Sequence, residues 1–263
     1  SEPTVSAVVL VSPAATDWLT LVADPGSAEL VAASADGDTV VVVGDTSLYR
    51  LRWDAAGPAL APCADPVRYR TIEGQSYAWD AVLDGGAAWV LDNGSGTTAF
   101  AGTLEGLGDA TAPLHLLRIP DDGGAVQAVA VDGRAGGIIV NPPAIDIARG
   151  IAVGFDSGHR TLAAFDLDGD TIAATPRWRR DQSHAPHIIR FPATGELVTF
   201  DTRKGDDGVV RERCIVLDIE TGEELGSVGT ASALQTMAFP SPGWDRDLYV
   251  PGFTALSHVM VER

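Results

Sequence analysis

The sequence predicts an all-β fold assembled from one repeated unit, and three observations predict it. Asp outnumbers Glu by 26 to 10. Asp favours turns and Glu favours helices, so the ratio suits a chain of short strands and tight turns. No segment of about 12 residues carries the i, i+3, i+4, i+7 apolar stripe of a surface helix. One plan also recurs five times: an apolar strand, a Gly or Asp turn, a second apolar strand ending near Asp, a loop and a third strand. Four short strands in each stretch of roughly 40 to 50 residues define a blade of a β-propeller. The expected fold is therefore a five-bladed β-propeller.

The first unit covers 29–54, with strands around LVAAS, TVVVVGD and LYRLRWD. The second covers 80–120, with AVLDGG, AAWVLDNG and LHLLRIP. The third covers 144–170, with IDIARG, IAVGFDSG and LAAFDLDGD. The fourth covers 187–224, with IIRFPATG, ELVTFDTRKG and RCIVLDIETGE. The fifth covers 236–263, with MAFPSPG, DLYVPG and LSHVMVE. Fourth strands are expected at 59–63, 125–131, 171–176 and 224–228. The count becomes six if 121–140 hides a degenerate blade. The last unit ends at its third strand, so 5–12 or 18–23 would supply the missing one. That N-terminal strand would close the ring and remove free sheet edges. The Gly pairs at 85–86, 123–124 and 136–137 read as hairpins.

The chain of 263 residues is 45% hydrophobic, enough for a substantial core, and reads as one domain over 1–263. Its net charge of −18 excludes a phosphate-gripping nucleic-acid face. No apolar run reaches the roughly 18 residues of a membrane span. Ser1 to Pro3 would suit a mature secreted terminus, which favours secretion over a cytoplasmic location. Cys63 and Cys214 fall in different repeats, so two free thiols are expected.

A repeat turns register into a ring. The residues that lead into the first strands read Glu29, Asp80, Ala144, His187 and Thr236, with Gln235 beside the last. In a propeller these gather on one face, around the axis. The ends of the second strands read Asp45, Asp92, Asp156, Asp201 and Pro251. Asp at a strand end before a Gly-containing loop is also an ordinary turn residue. Glu29, Asp80 and His187 are not turn formers, and an unpaired buried charge there would cost several kcal/mol. They are the candidate catalytic residues and the candidate ligands of one divalent metal. Oxygen ligands favour Ca²⁺, and adding a His moves the choice towards Zn²⁺. Asp166-Leu-Asp168-Gly-Asp170 lacks the downstream Glu of a calcium loop and reads as a hairpin turn.

The segment 177–187 carries three Arg, one Trp and two His in an otherwise acidic chain. Arg177, Arg179 and Arg180 could clamp an anion, or pair with Asp across a blade junction. Trp79, Tyr77 and Trp178 lie near strand starts, where they would stack on a ligand or pack between blades. Candidate ligand-binding residues are thus Trp79, Arg177, Arg190, Asp92, Asp201 and Gln235. No G-x-S-x-G, H-E-x-x-H or Gly-rich phosphate loop occurs.

His187-x7-Gly195-x4-Phe200-Asp201, with Leu91-Asp92-Asn93-Gly94, resembles the blade motif of bacterial arylsulfotransferase-like propellers. The resemblance covers about 40 to 60 residues. It implies a propeller in which an axial His accepts a sulfuryl group, here His187, with Arg190 or the 177–180 cluster neutralising the sulfate. The chain is much shorter than those enzymes, and the leading residues Glu29 and Asp80 are acidic, which would repel an aryl sulfate.

Two functional readings follow. One is a hydrolase or lyase acting at the axis on a small anionic or sugar-like substrate. It would use a metal held by Glu29, Asp80 and His187, or Glu29 and Asp80 as the acid/base pair of a glycosidase. The other is a non-catalytic propeller that binds a carbohydrate or a protein on the same face.

Overall fold

The structure, a computed structural model, describes residues 8–10, 19–21, 28–33, 39–44, 46–54, 56, 59–75, 78, 81–92, 94, 112–138, 141–183, 188–229, 240–243, 246–251 and 256–261. Every regular element among them is a β-strand. No helix among the described residues is long and apolar enough to cross a membrane.

β1 (Val8–Leu10) and β2 (Leu19–Leu21) pair with each other as an antiparallel ribbon. The first sheet comprises β3 (Ala28–Ala33), β4 (Thr39–Gly44), β5 (Ser47–Asp54), β6 (Ala59–Pro62) and β7 (Val67–Arg68). The second comprises β8 (Val82–Asp84), β9 (Ala87–Leu91), β10 (His115–Pro120) and β11 (Gln127–Ala130). The third comprises β12 (Ala144–Asp146), β13 (Ile151–Asp156), β14 (Thr161–Asp168) and β15 (Thr171–Asp181). The fourth comprises β16 (Ile189–Phe191), β17 (Glu196–Lys204), β18 (Val210–Asp218) and β19 (Glu224–Gly229). The fifth comprises β20 (Ser241–Pro242), β21 (Asp247–Pro251) and β22 (Leu256–Met260). Each of the five is an antiparallel run of consecutive strands, as the repeat implies.

Three local features differ from the sequence expectation. The fourth strand of the first sheet is split: β6 pairs with the end of β5 and β7 with its start. Pro62 and Pro66 lie at this break, and neither can donate to a ladder. β15 continues through Asp181, so Arg177, Arg179 and Arg180 sit on an outer strand instead of a loop. Gly136 and Gly137 form no hairpin; Gly136 N donates to Ala112 O across a parallel bridge. The stretch 121–138 holds one strand, β11, which completes the second sheet.

The sheets stack face to face in chain order. Val41, Val43 and Leu48 of the first meet Ala88, Val90 and Leu117 of the second. The opposite face of the second, with Trp89 and Leu116, meets Ala152, Ala163 and Phe165 of the third. Val153, Phe155 and Leu162 then pack on Leu197, Ile215 and Leu217 of the fourth, and Val198 and Phe200 pack on Leu248 and Val250 of the fifth. Strand alternation makes this possible, because each inner strand buries both its faces. Trp89 and Phe165 are almost wholly enclosed, so truncating either to Ala would cost about 3–5 kcal/mol.

Both ends of the stack are informative. Val40, Val42 and Leu51 are buried on the far face of the first sheet. On the fifth sheet Leu256 is 66% and Met260 62% exposed, and Tyr249 stacks on His258. This sheet has three strands, and β22 pairs with β21 alone among the described strands.

Candidate functional site

The first strands β8, β12 and β16 stand side by side in the stack and bring three charged groups together. Arg190 of β16 extends Nη1 to 3.6 Å from Asp146 Oδ1 and Nη2 to 3.9 Å from Asp84 Oδ2. The Asp146 side chain is fully buried. It also accepts the Arg149 backbone N–H at 3.0 Å and Arg149 Nη1 at 3.0 Å. Arg149 Nη1 continues to Pro192 O at 2.7 Å, tying the third sheet to the fourth. Gly195, at φ +74°, leaves room for this guanidinium: a Cβ there would lie 2.6 Å from Arg149 Nε. Arg190, expected at the ligand site, thus lies on a first strand with its charge shared between two carboxylates.

The Asp residues at the second-strand ends do different work from a ligand ring. Asp92 is fully buried and accepts the N–H of Gly94 at 3.0 Å, the N–H of His115 at 2.7 Å and His115 Nδ1 at 2.8 Å. Asp156, equally buried, accepts the N–H of His159 at 3.1 Å and His159 Nδ1 at 2.8 Å. Burial pushes the Asp156 carboxyl above the usual carboxylate range, while the His159 hydrogen bonds pull it back. Gly137 permits this packing, since at φ +132° an added Cβ would fall 2.8 Å from Asp156 Oδ2. Asp201 takes a two-pronged contact from Arg213, at 2.6 and 2.8 Å. The same guanidinium reaches Glu224 at 2.7 Å. Both contacts hold Arg213 protonated, that with Asp201 foremost. Asp92 and Asp201 are therefore occupied within their own sheets.

The Arg cluster is spread along the junction of the third and fourth sheets. Arg177 donates to Glu220 O at 2.8 Å and to Asp166 Oδ1 at 2.7 Å. It belongs to an outer strand, away from the first strands, and bridges sheets there. Trp178 Nε1 donates to Ile219 O at 2.8 Å, and its ring covers Gly222. The Asp166–Asp170 stretch is the hairpin between β14 and β15, turning at Gly169 with φ +56°. Cys63 is exposed and Cys214 buried, both as free thiols.

Trp79, Asp80, His187 and Gln235 lie outside the described residues, as do Asp45, Tyr77 and His184. Glu29 lies on β3, where the pairing with β4 shifts register between Ala28 and Leu30. It is the extra residue of a bulge, a device that re-aims side chains and often adjoins active sites. Of the metal-ligand set, only Glu29's backbone is thus placed. Among the described residues no group of three His, Cys, Asp or Glu side chains is arranged to hold a metal ion.

Sequence reasoning missed Asn141, three residues ahead of β12. It is 5% exposed, and its Nδ2 donates to Pro142 O at 2.9 Å. Its Oδ1 is buried with no partner among the described residues. The loop into β8 shows a counterpart in Gln75. Its Oε1 accepts the N–H groups of Thr71 and Ile72, and its buried Nε2 lacks a partner among the described residues. The only sequence signal was position, since both precede first strands.

No protein-family model matches the chain. No curated protein matches it either. Solved structures do resemble it. A luciferin-regenerating enzyme aligns over 84% of this chain and 68% of its own, at 16% identity and a TM-score of 0.52. A protein from Bacteroides fragilis assigned as a 6-phosphogluconolactonase aligns over 92% and 69%, at 11% identity and a TM-score of 0.56. The WD40 domain of Toxoplasma gondii coronin aligns over 86% and 53%, at 11% identity and a TM-score of 0.53. At these identities the likeness is one of fold, and the fold is propeller-like. The arylsulfotransferase resemblance rests on its sequence motif alone. In that motif the described members have blade roles: Gly195 turns, Phe200 fills the core and Asp201 binds Arg213.

Proposed function

We propose that the chain is a propeller enzyme of the hydrolase class, with a divalent cation held on the axis where the loops lead into the first strands. The observation that carries this reading is the buried Oδ1 of Asn141, which has no partner among the described residues. Leaving such an acceptor unmatched costs about 1–3 kcal/mol, which a bound group would offset. An amide oxygen suits a hard cation, and Glu29 and Asp80 would add carboxylate oxygens, with His187 as a fourth ligand. The bulge at Glu29 supports a specialised role for that residue. Such an ion supplies polarisation of a carbonyl or activation of water, so lactones, esters and phosphoesters are the substrates to test first.

The same reading includes a ring of five blades, closed by an N-terminal strand added to β22. Two facts support it: among the described residues the fifth sheet is one strand short, and the far face of the first sheet is buried. Slow hydrogen exchange along the outer edge of β22 is the expected result, and fast exchange there contradicts closure.

Plasma mass spectrometry on dialysed protein tests the ion, with an Asp80→Ala, His187→Ala variant beside it. A stoichiometric metal in the parent that is lost in the variant supports the proposal. Absence of metal after Ca²⁺ and Zn²⁺ additions overturns it, and sugar and peptide binding would then be screened.

A further inference from the structure

A cavity opens where the hairpins of the second and third sheets meet. This cleft has a volume of about 540 Å³, and Gly85, Gly86, Arg118, Asp121, Asp122 and Asp170 are among its lining residues. Arg118 rises from β10 with its side chain only 7% exposed. Its guanidinium sits 5.8 Å from the centre of the Trp89 ring. One N–H group, on Nη2, binds Asp170 Oδ1. The remaining N–H groups meet no acceptor among the described residues, although a guanidinium carries five donors. The Asp170 side chain is 81% exposed at a hairpin tip, so the group that neutralises Arg118 stands in solvent.

The carboxylates around Arg118 have spare acceptor capacity. Asp121 uses Oδ1 for Arg50 Nε at 3.0 Å. Asp122 uses Oδ1 for the N–H of Gly124 at 2.9 Å. Gly85 and Gly86 also line it with positive φ; a Cβ on Gly85 would fall 2.7 Å from Ile147 Cδ1, whereas one on Gly86 would meet nothing within 4 Å. At Gly86 the cleft is open to an approaching ligand.

We propose that this cleft binds a small zwitterion of the α-amino-acid type. Its carboxylate would lie on the unused N–H groups of Arg118, and its ammonium among Asp121, Asp122 and Asp170. The charge balance selects this chemistry. A simple anion would meet three carboxylates against two guanidiniums, Arg118 and Arg50, that are already ion-paired, and a simple amine would leave the unused Arg118 N–H groups without an acceptor. Molecules carrying both charges a few ångströms apart answer both demands.

The test is an NMR titration of the intact chain with glycine and L-alanine, with acetate, methylamine and glucose as single-feature controls. The amides of Gly85, Gly86 and Gly124 should shift saturably with the amino acids, on the order of millimolar affinity. Acetate and methylamine should bind on the order of tenfold more weakly, as each omits one charge-assisted contact. Asp122→Asn keeps an Oδ1 for Gly124 and should weaken the amino acids to a similar degree. Arg118→Lys keeps the charge without the fork and should also weaken them. Absence of saturable shifts overturns the proposal, as does glucose or a single-charge control matching the amino acids. An Asp122→Asn variant that binds like the parent overturns it too.

Discussion

Nδ1 of His115 lies 2.8 Å from Oδ2 of Asp92, and the pair ties the end of the second strand of the second sheet to the start of the third. His159 makes the same contact with Asp156 one sheet further on. A fully buried carboxylate is stable there because backbone N–H groups and an imidazole converge on it.

Asp92→Ala should therefore destabilise the fold without altering its outline. It strands the N–H groups of Gly94 and His115 and one imidazole nitrogen. The expected loss is about 2–4 kcal/mol, with Asp92→Asn milder. Urea denaturation measures it, and a change under 1 kcal/mol would contradict the role given to Asp92.

Arg213 should be worth more than a surface cation. Its side chain is 12% exposed, and it holds Asp201 and Glu224 together. Arg213→Met would leave Asp201 buried without its cation and should cost about 3–5 kcal/mol. The pH dependence provides a second readout. Arg213 holds the Glu224 carboxyl below its ordinary value of 4.5. A carboxyl lowered on folding adds stability that is fully present above about pH 4.5 and is lost as pH falls through the folded value. Stability measured from pH 5 down to 3 should fall less steeply in Arg213→Met than in the parent.

The two thiols should differ sharply in reactivity. Burial, with Glu212 nearby, pushes the Cys214 thiol up to about 12, and Cys63 is exposed. A thiolate reagent at pH 8 should label one cysteine in the folded protein and two in denaturant. Two equivalents at once in the folded state would show that the fourth sheet opens.

Asn141→Leu separates the proposed cation site from a structural role. In metal-free buffer the substitution removes an unmatched buried oxygen and should shift stability by less than about 1 kcal/mol. With Ca²⁺ present the parent should gain thermal stability and the variant should gain none. An equal gain in both proteins would exclude Asn141 from the site.

The strands themselves were legible because their causes are local. Apolar runs such as TVVVVG, AAWVL and IAVGFD separate at Gly and Asp, and each became a second strand at the expected place. The hairpins at 85–86 and 123–124 follow from the backbone freedom of glycine, with Gly85, Gly86 and Gly123 all at positive φ. A proline pair split the fourth strand of the first sheet, and that signal was also present in the sequence, at Pro62 and Pro66.

Side-chain partners were another matter. Asp92 and His115 are 23 residues apart, and no spacing announces that one will enclose the other. The sequence left Arg177 open to an anion clamp or to pairing with acids at a blade junction, and the register of β15 decided it by placing Arg177 beside Asp166 and Glu220. Arg118 gave no sequence signal at all; its place in a cleft depends on the third sheet bringing Asp170 alongside it. By itself, then, the sequence determined the antiparallel units and their turns, because strand period and turn chemistry act between near neighbours. The tertiary structure decided which charges are neutralised and which polar atoms stay unmatched, because those follow from how the sheets stack.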